Sequence, residues 1–181
     1  MPDLRSMLES YVVSGKAMQL ATLDEDGSPY VSNLWFASGF APDRLWFISR
    51  PARAHCENIR RRRRVAGAIL AIELDALGQA VQGVTFTGTA VELPTEGVGA
   101  QIAAYVSRWP SAANAIDVQR LAAGETHHRL YEISVTGWVY YDEKNFRSSP
   151  RQVVPIAETR AIAAARQAPE RRAQEIVTES K

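Results

Sequence analysis

Apolar residues alternate with polar ones in several stretches of this chain, and a period of two is typical of β-strands with one buried face. The stretch from Leu45 begins with four large apolar residues and stops at Ser49-Arg50-Pro51. The pattern as a whole predicts six strands, most of them joined by hairpins. They are Ala17–Leu23, Tyr30–Ser38, Leu45–Ser49, Val65–Ile72, Val81–Leu93 and Leu130–Tyr141.

Apolar residues at helical spacing predict short helices outside these strands. An opening helix rests on Leu4, Met7, Leu8 and Tyr11. Asp3 is placed to cap it, and Gly15 to end it. Further helices are predicted at Arg53–Arg62, within Pro94–Arg108 and at Ala113–Ala122, with a break at Trp109-Pro110.

The turn signals favour an antiparallel arrangement of the strands. Asp24-Glu25-Asp26-Gly27-Ser28 places acidic residues and a glycine between two apolar runs, which indicates a hairpin. Gly88, inside the fifth strand, predicts a β-bulge or a close approach of another backbone. Hairpin-linked strands with few helices close most naturally into a small barrel or partial barrel.

The domain organisation is simple. With 181 residues, 46% of them apolar, the chain is long enough for one domain with a substantial core. We expect that domain to span residues 1–155, including the opening helix. Residues 156–181 are rich in Ala, Arg, Glu and Gln, and are interpreted as a helical or frayed tail, with helical stretches at Thr159–Ala168 and Glu170–Ile176.

Composition limits the classes of partner. The formal net charge is +1, whereas general nucleic-acid binders are more basic. The five arginines from Arg60 to Arg64 are therefore interpreted as a solvated basic edge, and no nucleic-acid partner is expected. The single cysteine, Cys56, excludes an internal disulfide and a Cys-based metal cluster. No metal site is expected at His127-His128 either, because adjacent strand residues point to opposite faces.

The sequence also indicates in which compartment the protein is expected. The first residues are acidic and have no long apolar core, so they do not resemble a secretory signal. No apolar run approaches the ~20 residues that a membrane-spanning helix needs. We expect a cytoplasmic protein without a membrane partner.

The third strand and the helix after it carry the strongest chemical signal. The strand ends at Ser49, and Pro51 is typical of a helix start. Arg53 and His55 follow in the first turn, where free N–H groups and the helix dipole favour an anion. These residues predict a site for a phosphorylated ligand; the plainer alternative is a capped helix with an exposed basic face.

From Met18 to Tyr141, the chain resembles the pyridoxamine 5′-phosphate oxidase-like, FMN-binding split barrels. The resemblance is carried by ATLDEDGSPYVSNLWFAS, by LWFIS followed by ARAHCENIRRRRRVAGAI, and by GVTFTGTAVEL, in that order. HCENI, RVAG and the helix pair before LYEISVTGWVYY are most similar to a small, functionally uncharacterised branch, and not to the oxidase itself. The resemblance implies a mainly β (α+β) fold, an antiparallel split β-barrel of about six strands with short peripheral helices.

The resemblance also implies a binding site for FMN. Its phosphate would be held by Ser49, Arg53 and His55, and Trp35 would flank the flavin ring. His55 stands where the family commonly has lysine, which makes the charge there dependent on pH. Asn33 and Ser38 stand where the oxidase has arginine and lysine. The implied cofactor-binding residues are Asn33, Leu34, Trp35, Ser38, Ile48, Ser49, Arg53, His55, Gln82 and Gly83.

Two functions remain open at this point. In the first, the protein is a flavoprotein oxidoreductase that uses FMN on an unidentified small molecule, and no catalytic side chain is assigned because the cofactor carries the chemistry. In the second, the same fold is a non-enzymatic module that binds haem or another ligand. Vitamin B6 oxidation is not favoured, since the oxidase's substrate-phosphate residues have no match after Asp142. In either case the resemblance implies a homodimer with the ligand site at its interface.

Overall fold

The computed structural model describes residues 3–157, and the tail helices predicted at Thr159–Ala168 and Glu170–Ile176 lie outside the described residues. The helices are α1 (Leu4–Ser14), α2 (Ala54–Arg61), α3 (Gly99–Arg108) and α4 (Val118–Ala122), with a 3₁₀ turn at Pro110–Asn114. The strands are β1 (Ala17–Leu23), β2 (Pro29–Trp35), β3 (Ala37–Phe40), β4 (Asp43–Ser49), β5 (Arg64–Ile69), β6 (Gln82–Glu92), β7 (Arg129–Asp142) and β8 (Arg151–Val154).

The strands form one antiparallel sheet in the order β2-β1-β5-β6-β7-β4-β3, and β8 pairs with β7 beyond the end of β4. The two strands at the ends of this order, β2 and β3, follow each other in the chain and are separated only by Phe36. The sheet must therefore curl until its two edges meet. This curled antiparallel sheet with few short helices confirms the predicted split-barrel fold.

The number of strands differs from the prediction of six. The expected strand Tyr30–Ser38 is divided at Phe36, because the chain leaves β1 and begins to pair with β4 there. The Phe36 ring is fully buried at this corner. The additional strand β8 has only four residues, too few for a periodic pattern to reveal it.

The helices before β7 also differ from expectation. The helix predicted at Ala113–Ala122 is instead a 3₁₀ turn followed by the five-residue α4. The interruption places Ile116, which is fully buried, in the core beneath the helices. Asp117 then caps α4 by accepting a hydrogen bond from the backbone N–H of Arg120 at 2.9 Å.

Several local predictions are confirmed. Asp3 caps α1 through the backbone N–H of Ser6, and Gly27 adopts a φ of 90° in the β1–β2 hairpin, where glycine is strongly favoured. The β6–β7 register shifts between Thr87 and Gly88. A Cβ on Gly88 would lie 2.7 Å from the carbonyl oxygen of Ser134, so the glycine marks both a bulge and a close backbone approach.

Strand β4 separates two apolar cores. Leu45 and Phe47 point into the barrel and belong to the larger core. Trp46 and Ile48 point to the other face, where they pack against a second cluster built mainly by residues 98–130. Because β4 is apolar on both faces, it needs cover on both sides. The helices inserted between β6 and β7 provide the second cover, and we call this segment the insert.

None of the helices within residues 3–157 is both long and apolar enough to cross a membrane.

Candidate functional site

Strand β2 presents opposite sets of side chains to its two faces. Asn33 and Trp35 are exposed, whereas Leu34 packs against the barrel core. The Trp35 side chain is unusual for its size, with 62% of its surface exposed. Asn33 and Trp35 therefore share the exposed face of β2.

At the corner around Phe36, two backbone carbonyl groups accept hydrogen bonds from side chains of the segment between β6 and β7. The Trp109 indole N–H donates to the carbonyl of Phe36 at 2.7 Å. The Tyr105 hydroxyl donates to the carbonyl of Trp35 at 3.3 Å. The Trp35 and Trp109 rings meet edge to face, with centroids 4.5 Å apart. The insert is thus attached to the strand that carries the predicted site.

Arg108 strengthens the same attachment. Its guanidinium lies over the rings of Phe36 and Trp109, 5.2 and 5.0 Å from their centroids, and donates to the carbonyl of Gly15. Burial lowers the pKa of Arg108 from its usual value. Because the guanidinium lies over the Phe36 and Trp109 rings, its charge faces aromatic surface of the protein itself.

Between β2, β4 and the insert lies a cleft of about 290 Å³, which we call the aromatic cleft. Its lining consists of Asn33, Leu34, Trp35, Ile48, Tyr105, Trp109, Ser111 and Ala112. No charged side chain of residues 3–157 is part of this lining. The polar atoms of Tyr105 and Trp109 are already bonded to backbone, so these two residues offer mainly ring surface. The cleft suits a flat, largely apolar group.

The chain leaves the aromatic cleft at Ile48 and enters the predicted anion site in the next residues. The first turn of α2 has no side-chain cap, so its leading N–H groups are available. Arg50 and Arg53 are exposed, and neither forms an ion pair within the described part of the chain. Free cations beside an uncapped helix N-terminus are suited to a phosphate.

His55 is not exposed beside Arg53, although it follows it by two residues. Only 6% of its surface is accessible. Its Nε2 lies 2.8 Å from the Ser49 hydroxyl, and its Nδ1 lies 3.1 Å from the Ser32 hydroxyl. Burial, and then the charge of Arg53, lower the pKa of His55 below its usual value. Both ring nitrogens are therefore engaged inside the protein.

The Cys56 side chain of α2 lies close to Tyr131 of β7. Cys56 is fully buried, and this burial raises the pKa of its thiol. Tyr131 stacks on Phe47, with centroids 5.0 Å apart, and donates its hydroxyl to Glu92 at 2.9 Å. Cys56 is thus a small packed residue of the core.

Three of the predicted site residues belong neither to the cleft lining nor to the segment from Ser49 to His55. Ser38 is on β3 and faces Leu45 in the ladder. The carbonyl of Gln82 accepts from the Tyr11 hydroxyl at 2.8 Å, which places it against α1. Gly83 adjoins Leu70 at the far end of β5. The structure brings together Asn33, Leu34, Trp35, Ile48, Ser49, Arg53 and His55.

Sequence reasoning missed the residues that the insert contributes to the cleft. Tyr105 and Trp109 were recognised only as parts of a helix and its break. A Trp-Pro pair after an apolar helix can indicate a tryptophan that packs against another element, because proline stops the helix and leaves the indole free to pack elsewhere.

The outward face of the sheet forms a shallow groove of about 600 Å³ beside β2, which we call the sheet face. Two rows of paired residues cross it, Asn33-Gln19-Ala68-Thr85-Val139-Val153 and Val31-Ala21-Ala66-Thr87-Gly137. Most of these side chains are small, and Val31 and Val153 are each about 60% exposed. A sheet face of small and apolar residues is suited to close packing against another flat surface.

The basic run Arg60–Arg64 is exposed throughout, as expected of a solvated edge. Three of its members bond to the chain itself. Arg60 donates to the carbonyl of Pro51 at 2.8 Å, Arg61 lies 3.7 Å from Glu25, and Arg62 donates to the carbonyls of Asp24 and Glu25. Arg61 and Arg62 therefore contact the β1–β2 turn, and Arg60 contacts the loop before α2.

The protein is similar to several solved structures. A haem-binding protein from Mycobacterium smegmatis superposes with a TM-score of 0.67 and 18% identity, over 85% of this chain and 58% of that one. An FAD-binding protein from Mesorhizobium loti gives 0.55 and 22%, over 74% and 90%. HutZ, the haem storage protein from Vibrio cholerae, gives 0.54 and 17%, over 75% and 92%. At these identities the likeness concerns the fold, and the chain spans less than two thirds of the Mycobacterium protein.

No curated protein matches the chain significantly. A family model described as pyridoxamine 5′-phosphate oxidase matches residues 6–142, which include β1–β7 and the aromatic cleft. Since this match covers well over half of the sequence, the chain belongs to the pyridoxamine 5′-phosphate oxidase family.

Proposed function

We propose that this protein binds FMN and acts as an oxidoreductase on an unidentified small molecule. One observation carries the proposal: the aromatic cleft ends at Ile48, and the short loop after Ser49 leads into the N-terminus of α2, which has no side-chain cap. This loop carries Arg50 and Arg53, which form no ion pair among residues 3–157. FMN has the matching parts, a flat ring and a phosphate. Family membership and the FAD-binding protein among the similar structures support a flavin.

The ring of FMN fits the cleft by its chemistry. Trp35 and Trp109 offer aromatic surface, and Asn33 and Ser111 offer polar atoms that orient a ring edge. Bound FMN supplies hydride or electron transfer. The protein's own residues then bind the ring, orient it and limit its contact with water, so the site needs no nucleophile or acid–base pair.

The phosphate fits the loop between β4 and α2. Arg53 provides a charged donor, the first turn of α2 provides backbone N–H groups, and Ser49 provides a hydroxyl. Hydrogen bonds to a charged group contribute about 1.5–3 kcal/mol each. We assign the phosphate to this loop and the ring to the aromatic cleft.

Haem is the second candidate, because two of the similar structures are a haem-binding protein and a haem storage protein. Haem iron requires an axial ligand, most often histidine. The cleft lining within residues 3–157 contains no histidine, cysteine or methionine, and the hydroxyl of Tyr105 is bonded to the Trp35 carbonyl. His55 has both nitrogens bonded to serines. The donor set therefore favours a flavin.

The absorption spectrum of the purified protein tests the choice. We expect flavin absorption in the protein as purified or after addition of FMN, and mass spectrometry of the small molecule released on denaturation should identify FMN. Saturable quenching of FMN fluorescence would support the proposal in a protein purified without ligand. A Soret band with no flavin released, or the absence of saturable FMN binding, contradicts it.

We also propose that the protein is a homodimer with the ligand site at its interface. The exposed rows of the sheet face adjoin Asn33 and Trp35, so a partner packed there would cover the open side of the aromatic cleft. Small residues such as Ala66 and Thr87 allow two sheets to approach closely.

Light scattering at micromolar concentration should give the mass of a dimer. Ala66→Arg should convert it to a monomer, because an arginine in the middle of the sheet face prevents close packing and leaves a charge to be buried. Ala122→Arg, on the exposed side of α4, is the matched control and should leave the dimer intact. A monomeric wild-type protein contradicts the dimer.

A further inference from the structure

We propose that His55 is a positioning residue for the FMN phosphate: it holds the Ser49 hydroxyl as part of a serine–histidine relay (Ser32, His55 and Ser49) and makes phosphate binding depend on pH. This inference rests on the proposed function for the identity of its ligand. The relay itself is formed by side chains of the described chain.

The relay joins three elements around the candidate phosphate site. Ser32 is on the inward side of β2, Ser49 ends β4, and His55 lies in the first turn of α2. Both hydroxyl oxygens are within hydrogen-bonding distance of the imidazole, at 3.1 and 2.8 Å. Both ring nitrogens of His55 face serine hydroxyls, so neither is left to bind a phosphate oxygen directly. Its effect on the phosphate must pass through Ser49.

Protonation of His55 decides what the Ser49 hydroxyl can do. A neutral imidazole has one donor and one acceptor nitrogen, and in the tautomer that accepts at Nε2 it takes the only hydrogen of Ser49. A protonated imidazole donates from both nitrogens, so Ser49 accepts from it and His55 no longer takes the hydroxyl hydrogen, which can then be donated to a phosphate oxygen. Protonation also adds a positive charge behind the site. Both effects strengthen phosphate binding.

The surroundings of His55 keep it neutral near pH 7. From its own helix it meets Arg53, whose charge lowers its pKa, and Cys56, whose pKa is raised so that it remains a thiol. Strand β4 contributes the uncharged Phe47, with its ring centroid 6.1 Å away, and β2 contributes Ser32. Tyr131 of β7 stacks on Phe47, and burial raises its pKa, so it too is uncharged.

A phosphate dianion beside Ser49 and Arg53 opposes these effects. It offsets the charge of Arg53 and favours the protonated imidazole. By linkage, bound phosphate must raise the pKa of His55 to the same extent that His55 protonation strengthens phosphate binding.

Flavin titrations across pH 5–8 test the relay, with fluorescence quenching to measure the dissociation constants of FMN and riboflavin. The FMN phosphate itself titrates with a pKa of about 6, so each protein is compared with His55→Gln at the same pH. We expect the wild type's advantage in FMN affinity to grow about three- to tenfold from pH 8 to pH 5. Riboflavin lacks the phosphate, so the ratio of its dissociation constants for His55→Gln and the wild type should stay constant over this pH range.

Further variants separate positioning from general structure. Ser32→Ala removes the hydrogen-bond partner of Nδ1, so its FMN affinity relative to His55→Gln should increase less between pH 8 and pH 5 than that of the wild type. Ser32→Thr keeps the hydroxyl and should show the wild-type increase. His127→Gln, which removes an exposed histidine, should behave like the wild type. If His55→Gln does not fold, the Ser32 pair carries the same test.

The outcomes distinguish the relay from the proposed function. If FMN binds but the ratio of the dissociation constants of His55→Gln and the wild type stays constant across pH 5–8, the relay is overturned and the proposed function still stands. If FMN does not bind, the function fails, and ¹⁵N NMR of the histidine rings with inorganic phosphate then tests the relay. Phosphate should raise the pKa of His55 in that experiment, and an unchanged pKa at saturation overturns the inference.

Discussion

Replacing Asp43 with asparagine should lower the free energy of unfolding by about 3–5 kcal/mol, the usual cost of removing one partner from a buried ion pair. The carboxylate is fully buried and accepts from both terminal nitrogens of Arg5. It also accepts from the Trp138 indole N–H at 3.0 Å and from the backbone N–H of Ala157 at 2.9 Å. The carboxylate in turn raises the pKa of Arg5 above its usual range.

Asparagine has nearly the same size but carries only one acceptor oxygen and adds two donors. It would leave Arg5 with Glu9 as its remaining ion-pair partner and turn an N–H group toward other donors. Urea denaturation followed by tryptophan fluorescence measures the change. Asp117→Asn is the matched control, because aspartate and asparagine cap helices equally well, and it should change stability by less than about 0.5 kcal/mol. A loss below about 1 kcal/mol for Asp43→Asn would show that Asp43 does not hold these elements together.

Replacing Arg53 with alanine should weaken FMN binding by about 1.5–3 kcal/mol, or roughly ten- to a hundredfold, the scale of a hydrogen bond to a charged group. The side chain is exposed and forms no ion pair among residues 3–157, so its removal should leave the fold unchanged. Fluorescence quenching of FMN measures the effect.

Two comparisons make the result specific to the phosphate. Riboflavin should bind Arg53→Ala and the wild type equally, and Arg147→Ala, which removes an exposed arginine from the turn after β7, should bind FMN like the wild type. If Arg53→Ala binds FMN with unchanged affinity, the phosphate assignment is wrong, and the loop after Ser49 is an ordinary start of a helix.

The sequence by itself determined the type and order of most elements. Alternation of apolar and polar residues has a direct physical cause, since one strand face meets the core and the other does not. It therefore located β1 and β4–β7 to within a few residues. Capping and turn residues such as Asp3 and Gly27 act through their immediate neighbours, so the opening helix and the first hairpin were also predictable.

Part of the candidate site was predictable for the same reason. Asn33 and Trp35 share a face because they are two residues apart on a strand, and Ser49 and Arg53 flank a helix start that proline announces. Their connection to a flavin came from resemblance to a family, since the spacing alone allows a plain helix cap.

The tertiary structure decided the rest, because the remaining features depend on residues far apart in the chain. The break at Phe36 follows from a change of partner strand, and the carbonyls of Trp35 and Phe36 accept hydrogen bonds from Tyr105 and Trp109, about 70 positions later. His55 is buried because Ser32 and Ser49 enclose its ring from two other elements. No local pattern records such contacts, since hydrogen bonds across a barrel depend on how its strands close.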